Sequence, residues 1–341
     1  MKMSEVIQQD LFDVKEREKE IASIDRLFQD IKQYRKCSEF KKKLDFYSEF
    51  PYIGVYNAEL VAQQRPGARF VLTAKKWAEK YQRKIKPNAR PLIILVPFYP
   101  VEFLFDISDT KPMGKYQKSQ DDRVIEDIIE RYKIESSRNA WYYLDRIREN
   151  LTKNGIHFTG HYVVGSEKHA EIRADRSEKL YVPVYKDFIV DSNNYFTISV
   201  NAESDAEAFA AICHELGHLF CHHLLHTWCK ERFFNNEEEE KVVKEFEAEV
   251  VSYLVCSRLG IHTNSMKYLA EYLHDKDEIP EISVERVFHA VDVIQRMASE
   301  YMDITECMLY KHDVEFKAAV DKEKKRRKEE REKAKAAQPS R

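Results

Sequence analysis

SDAEAFAAICHELGHLFCHHLL, Ser204 to Leu225, is the stretch that decides the fold of this chain. Ser204 with Glu207 three residues on makes a capping box ahead of Ala208, Phe209, Ala210, Ala211 and Ile212, and no proline follows until well past His226, so a helix is predicted. Inside it lies His214-Glu215-Leu216-Gly217-His218. Residues four apart sit one above the other on a helix, so His214 and His218 can offer imidazoles to one metal ion while Glu215 lies beside it. His222 and His226 continue the i, i+4 series, but each step drifts by about 40°; His222 is therefore expected at the border of the site and His226 to face elsewhere.

A second helix is expected downstream. Asn236 and Glu237 to Glu240 suit a helix N-terminus, and Gly260 suits the other end. Between them Val242, Phe246, Val250, Tyr253 and Leu254 fall on one arc, with Glu245 and Glu249 along its edge and Glu247 pointing roughly the other way. Two carboxylates beside an apolar face call for partners, because an unpaired buried charge is expensive. Glu245 is read as the third metal ligand, and Glu249 as the acceptor for the second ring N–H of His214 or His218, which fixes the tautomer. Glu247 is the alternative ligand if the helix phase is off, and a solvated acidic face is the reading without any metal. Two imidazoles and one carboxylate leave a coordination position open, the catalytic pattern, and with an adjacent glutamate base they favour Zn2+. Glu215, not a ligand, is read as the catalytic general base that takes a proton from water.

The rest of the chain bounds this reading. At 341 residues it can hold two compact domains; 43% hydrophobic and 34% charged residues point to polar helices at its ends. A net charge of −3 argues against a globally basic nucleic-acid binder. Six cysteines lack CxxC spacing and Met1 to Glu5 shows no signal peptide, so reduced thiols in a cytoplasmic protein are expected. Cys213 beside His214 points about 100° away and reads as core. No apolar run has the length of a membrane span.

The expected fold class is α+β: a mostly helical, zincin-like metallopeptidase domain with a small mixed sheet, preceded by a small α+β domain. Residues 1–50 read as amphipathic helices. Residues 51–110 form the small domain, with helices over Tyr56–Gln64 and Thr73–Gln82 and strands over Pro91–Phe98 and Val101–Ile107 joined as a hairpin. Residues 111–120 read as a linker, 121–310 as the metal domain, and 311–341 as a charged tail, helical or disordered, whose basic cluster Lys322–Lys328 reads as a solvated face. Helix is expected over Asp121–Asn154 and again over Ser265–Leu273 and Ser283–Met297. Strands are expected over Tyr162–Val164, Tyr181–Val184, Asp187–Val190 and Tyr195–Val200. The last of these is read as a sheet edge on which a peptide can add as a strand, with Thr197 and Ser199 as candidate substrate-binding residues.

HELGH with EFEAEVVSYLVCSRLGI downstream resembles the ImmA/IrrE family of metallo-endopeptidases, whose pattern is HExxH followed by ExxA(N/D) on the next helix. Here that element is Glu245-Phe246-Glu247-Ala248-Glu249, with glutamate in the last place, which still accepts a hydrogen bond. The stretch from Tyr56 to Thr110 resembles the N-terminal segment of large members of that family and, more loosely, that of ArdC-type antirestriction proteins. The resemblance implies a zinc endopeptidase of narrow specificity acting on a regulatory protein, such as a DNA-binding repressor, in stress response or mobile-element control. For the N-terminal segment it implies single-stranded DNA. The other reading is a DNA-associated antirestriction or interaction protein whose metal site is structural or weakly active.

Overall fold

A capped helix, Asp205–Phe220, sits at the centre of the fold, and its ends follow from its sequence. The structure is a computed structural model that describes residues 36–96, 99–113, 126–130, 132, 138–154, 156–162, 169–174, 196–224, 237–263, 269, 273 and 276–304. The Ser204 side chain accepts from the Glu207 N–H at 3.3 Å, the cap half of the expected box, while the Glu207 carboxylate reaches back to the Glu203 N–H, one residue before the cap, at 3.4 Å.

In chain order the elements are α1 (Cys37–Ser48), α2 (Val55–Gln64), β1 (Val71–Leu72), α3 (Ala74–Tyr81), β2 (Arg83–Ile85), β3 (Leu92–Val96), β4 (Tyr99–Asp106), β5 (Thr110–Pro112), α4 (Ala140–Lys153), β6 (Ile156–Tyr162), β7 (His169–Ala174), β8 (Phe196–Ala202), α5 (Asp205–Phe220), α6 (Glu237–Arg258) and α7 (Val284–Met297). This is the α+β mixture expected. Strands β3 and β4 form the anticipated antiparallel hairpin, with β1 on the far side of β4. The second sheet is mixed: β8 lies between β6, parallel to it, and β7, antiparallel to it.

One apolar cluster runs from Cys37 to Ile304, taking in α1, α2, the hairpin's inner face, the mixed sheet and α4 to α7; a smaller one gathers Phe70, Leu72, Trp77 and Ile107. Polar ties fix the layers. Asn150 on α4 donates to the carbonyls of Met297 (2.8 Å) and Glu300 (2.9 Å), satisfying acceptors that the end of α7 leaves open. Buried Arg258, at the end of α6, donates to the carbonyls of Tyr47 (2.9 Å) and Ile53 (2.5 Å) and to Gln295 (2.7 Å). Gly54 faces Asp292 so closely that a Cβ would stand 2.8 Å from its carboxylate, and Asp292 caps the Val55 N–H at 2.9 Å.

Several expectations shift. The strand placed at Tyr162–Val164 lies earlier, as β6. Strand β7 went unanticipated, although Ala170, Ile172 and Ala174 alternate with His169, Glu171 and Arg173. Within the span read as one helix over Asp121–Asn154, residues 126–130 and 132 are helical, the chain is non-helical at 138–139, and α4 begins at Ala140, where Asn139 accepts from the Tyr142 N–H at 2.9 Å as its cap. Lys111 and Pro112, read as the start of the 111–120 linker, are instead paired with β2 as part of β5. Residues 1–35, the rest of that linker from 114, the strands expected over Tyr181–Val184 and Asp187–Val190, His226, nearly all of the helix expected over Ser265–Leu273, and the tail from 311 lie outside the described residues.

Candidate metal centre

Helices α5 and α6 approach each other through their smallest residues. A Cβ on Gly217 would stand 3.0 Å from the Ala248 Cα and 3.3 Å from its carbonyl oxygen, and Ala248 is fully buried. His214 and His218 are the residues three before and one after Gly217; Glu245 and Glu249 are three before and one after Ala248. Equal offsets from one close contact bring all four onto facing ridges. Ser252, one turn beyond Ala248, donates to the Ala210 carbonyl at 2.8 Å and holds the helices in register.

The three expected ligands converge. The His214 and His218 Nε2 atoms are 3.2 Å apart, and Glu245 Oε2 is 3.4 Å from the first and 3.7 Å from the second. The edge of a tetrahedron whose centre lies ~2.0–2.1 Å from each donor is about 3.3 Å, so the donor set fits an ion of that size. The carboxylate is half exposed, so the cluster opens to solvent on the Glu245 side. Glu249, read as the acceptor for one of the two imidazoles, serves His214: its Oε2 lies 3.1 Å from His214 Nδ1. That leaves His214 Nε2 facing the ligand cluster.

The electrostatics match this placement. Burial works against a charged His214 ring, but hydrogen bonds to Glu245 and Glu249 outweigh it and raise its pKa to about 10. The two imidazoles hold the Glu245 carboxyl well below the usual carboxylate range. Glu215 is buried against the mixed sheet, and burial pushes its pKa up, opposed by the two histidines and by a hydrogen bond from the Ile172 backbone on β7. A carboxylate raised in this way, beside the three converging donors, is suited to exchanging a proton with water.

Other expected residues go elsewhere. Glu247, the alternative ligand, is fully buried on the far side of α6 and meets His223, its Oε2 2.8 Å from His223 Nε2. Thr197 and Ser199 lie on β8, which is the middle strand and not the edge; its ladder is filled by β6 and β7, so neither residue offers an open edge to a peptide. Among the described residues the open edge beside Glu215 belongs to β7. The expectation that the histidine series runs on to His226 also fails at its start. Helix α5 ends at Phe220, and His222 takes a left-handed φ of 63°. Cys213 is buried core, as expected.

Sequence reasoning missed His223. Its ring lies against His218, Nδ1 to Nδ1 2.9 Å, and burial lowers its pKa to about 4. Cys221, His223 and Glu247 form a second, wholly buried group of metal-type donors.

These features define a candidate mononuclear metal centre of the open, three-protein-ligand kind, built between two helices of an α+β fold. No protein-family model matches the chain, and no curated protein matches it. Solved structures that are similar in part include the antirestriction protein ArdC from plasmid R388 in its Mn(II)-bound form (TM-score 0.31, 14% identity) and in its metal-free form (TM-score 0.30, 13% identity). Each match covers 74% of this chain and 86% of that one. Among the described residues no helix is long and apolar enough to cross a membrane.

Proposed function

We propose that this chain is a zinc-dependent endopeptidase acting on a protein substrate, with His214, His218 and Glu245 as metal ligands and Glu215 as general base. The observation that carries this reading is the near-tetrahedral spacing of the three donors beside a buried glutamate of raised pKa. When bound, the ion lowers the pKa of a water molecule and polarises the scissile carbonyl. Glu215 accepts the proton of the attacking water and later returns it to the leaving amine. Glu249 holds the His214 tautomer. The edge of β7 offers backbone hydrogen bonds to an extended peptide next to Glu215. A regulatory protein such as a repressor is the substrate class that the ImmA/IrrE resemblance implies.

A second reading is an antirestriction or interaction role through DNA, with a structural or weakly active metal site. What favours it is a surface on the hairpin: Ile93 and Phe103 face each other across β3 and β4 and are 43% and 51% exposed. An exposed aromatic ring on a sheet offers a stacking platform for unpaired bases.

Glu215→Gln separates the two. Under the peptidase reading the variant retains zinc, and the new protein N-termini that wild-type expression generates in cells disappear. If biological activity survives Glu215→Gln but is lost on deleting residues 1–110, and the full chain binds single-stranded oligonucleotide in a salt-dependent way that Phe103→Ala weakens, the DNA reading holds.

A further inference from the structure

The turn that ends α5 has an unusual occupant. The His222 N–H bonds to the Leu219 carbonyl at 3.0 Å and the His223 N–H to the His218 carbonyl at 2.9 Å, the paired bonds of a Schellman motif, with His222 in the left-handed position normally given to glycine. A non-glycine there carries backbone strain, because its Cβ crowds the following carbonyl oxygen. The motif brings the second residue past the helix end back against the residue one turn inside it, commonly as an apolar contact. Here the two residues are His223 and His218, and the contact is an imidazole pair with Nδ1 atoms 2.9 Å apart.

The far side of His223 is fixed as firmly. Its Nε2 lies 2.8 Å from Glu247 Oε2, and Glu247 Oε1 accepts from the Ser283 N–H, just ahead of α7, at 2.5 Å. Both side chains are essentially without solvent exposure. A carboxylate is acceptor only, so His223 Nε2 carries the hydrogen and its Nδ1 is left as an acceptor. The facing nitrogen of His218 must then be the donor. That leaves His218 Nε2 bare, and it is this atom that lies 3.2 Å from His214 Nε2 in the ligand cluster.

We propose that His223, seated on Glu247, is a positioning residue for His218: through the chain Ser283–Glu247–His223 it fixes the tautomer in which His218 Nε2 ligates the metal. The inference rests on the reading of His218 as a ligand. Glu249 sets His214 from α6 directly, whereas His218 is set by a relay that runs from the start of α7. Both ring nitrogens of His223 and both oxygens of Glu247 are engaged in hydrogen bonds, so the buried Cys221, His223 and Glu247 act as a hydrogen-bonded support and not as a second metal site.

Two measurements on the full chain test this. In zinc-loaded protein with 15N-labelled histidine, NMR is expected to show His218 protonated at Nδ1, and His223 protonated at Nε2 and bare at Nδ1; a hydrogen on His223 Nδ1 overturns the proposal without recourse to any variant. Zinc titration is then expected to show His223→Leu weakening affinity about 10–100-fold, while His223→Gln, which keeps an acceptor, recovers most of the loss. Circular dichroism of the metal-free variants establishes that each is folded. A folded His223→Leu that binds zinc as tightly as wild type overturns the proposal. So do two zinc ions per chain with the second abolished by Cys221→Ser. Wild type that binds no zinc at His214, His218 and Glu245 instead defeats the metal-site reading beneath it.

Discussion

Helices α5 and α6, with the turn that ends α5, carry two carboxylate–imidazole groups built from the same residue types, and their fates differ. On one side Glu245 and Glu249 meet His214 and His218, with Glu245 half in solvent. On the other, Glu247 meets His223 with both side chains shut in. Exposure separates them. The open group, with its outer carboxylate half in solvent, can admit water and a substrate carbonyl. In the closed group each donor and acceptor has its match, which suits holding a neighbour in place. A change in the first group should therefore be felt in chemistry and metal affinity, and a change in the second in stability and tautomer.

The largest expected effect is on chemistry. Glu215→Gln should lower the rate of peptide cleavage by about 10²–10⁴-fold, with zinc content unchanged; an active variant breaks the assignment of the base. Next comes a pair that tests the comparison itself. Glu247→Ala strips partners from His223 and from the Ser283 N–H, and at ~1.5–3 kcal/mol for each hydrogen bond to a charged group it should cost about 3 kcal/mol or more of the stability of the metal-free protein. Glu245→Ala should abolish tight metal binding and, because the Glu245 carboxylate is half in solvent, cost the metal-free protein less stability than Glu247→Ala does. If both variants act alike in thermal melts and zinc titrations, the distinction between the two groups is lost.

Gly217→Ala tests the contact that places both. The added methyl would press on the Ala248 backbone and should cost about 1–3 kcal/mol by overpacking, seen as a lower denaturant midpoint and a weaker zinc affinity together.

The smallest effect is on pH. In the metal-free fold His214 keeps its proton up to about pH 10, and a ligand imidazole must be neutral, so binding displaces that proton. Zinc affinity should rise about tenfold per pH unit between pH 6.5 and 8. The sign for the metal-free protein is opposite: a raised pKa contributes stability that is present below the ordinary histidine value of 6.5 and is lost as pH rises towards 10.

How much of this the sequence carried differs between the two groups for a physical reason. The open one is written in helical period alone. The spacing of His214 and His218, the capping box and the phase of Glu245 and Glu249 all follow from 100° per residue, and only the choice of His214 as the partner of Glu249 needed coordinates. The closed one depends on where α5 stops. With His222 and not glycine at the left-handed position, no stop signal is visible, and by spacing alone the series continues to His226. Glu247 likewise points away from Glu245 as its phase requires, but its partner comes from that turn. The edge reading of Thr197 and Ser199 failed because β7, whose polar alternation was overlooked, covers one side of β8.

The most direct test of the central claim is anomalous diffraction at the zinc edge from crystals of the zinc-loaded full chain. The account predicts a single peak ~2.0–2.2 Å from His214 Nε2, His218 Nε2 and a Glu245 oxygen, with a fourth position open. A peak among Cys221, His223 and Glu247 instead, or none near His214 and His218, would contradict it.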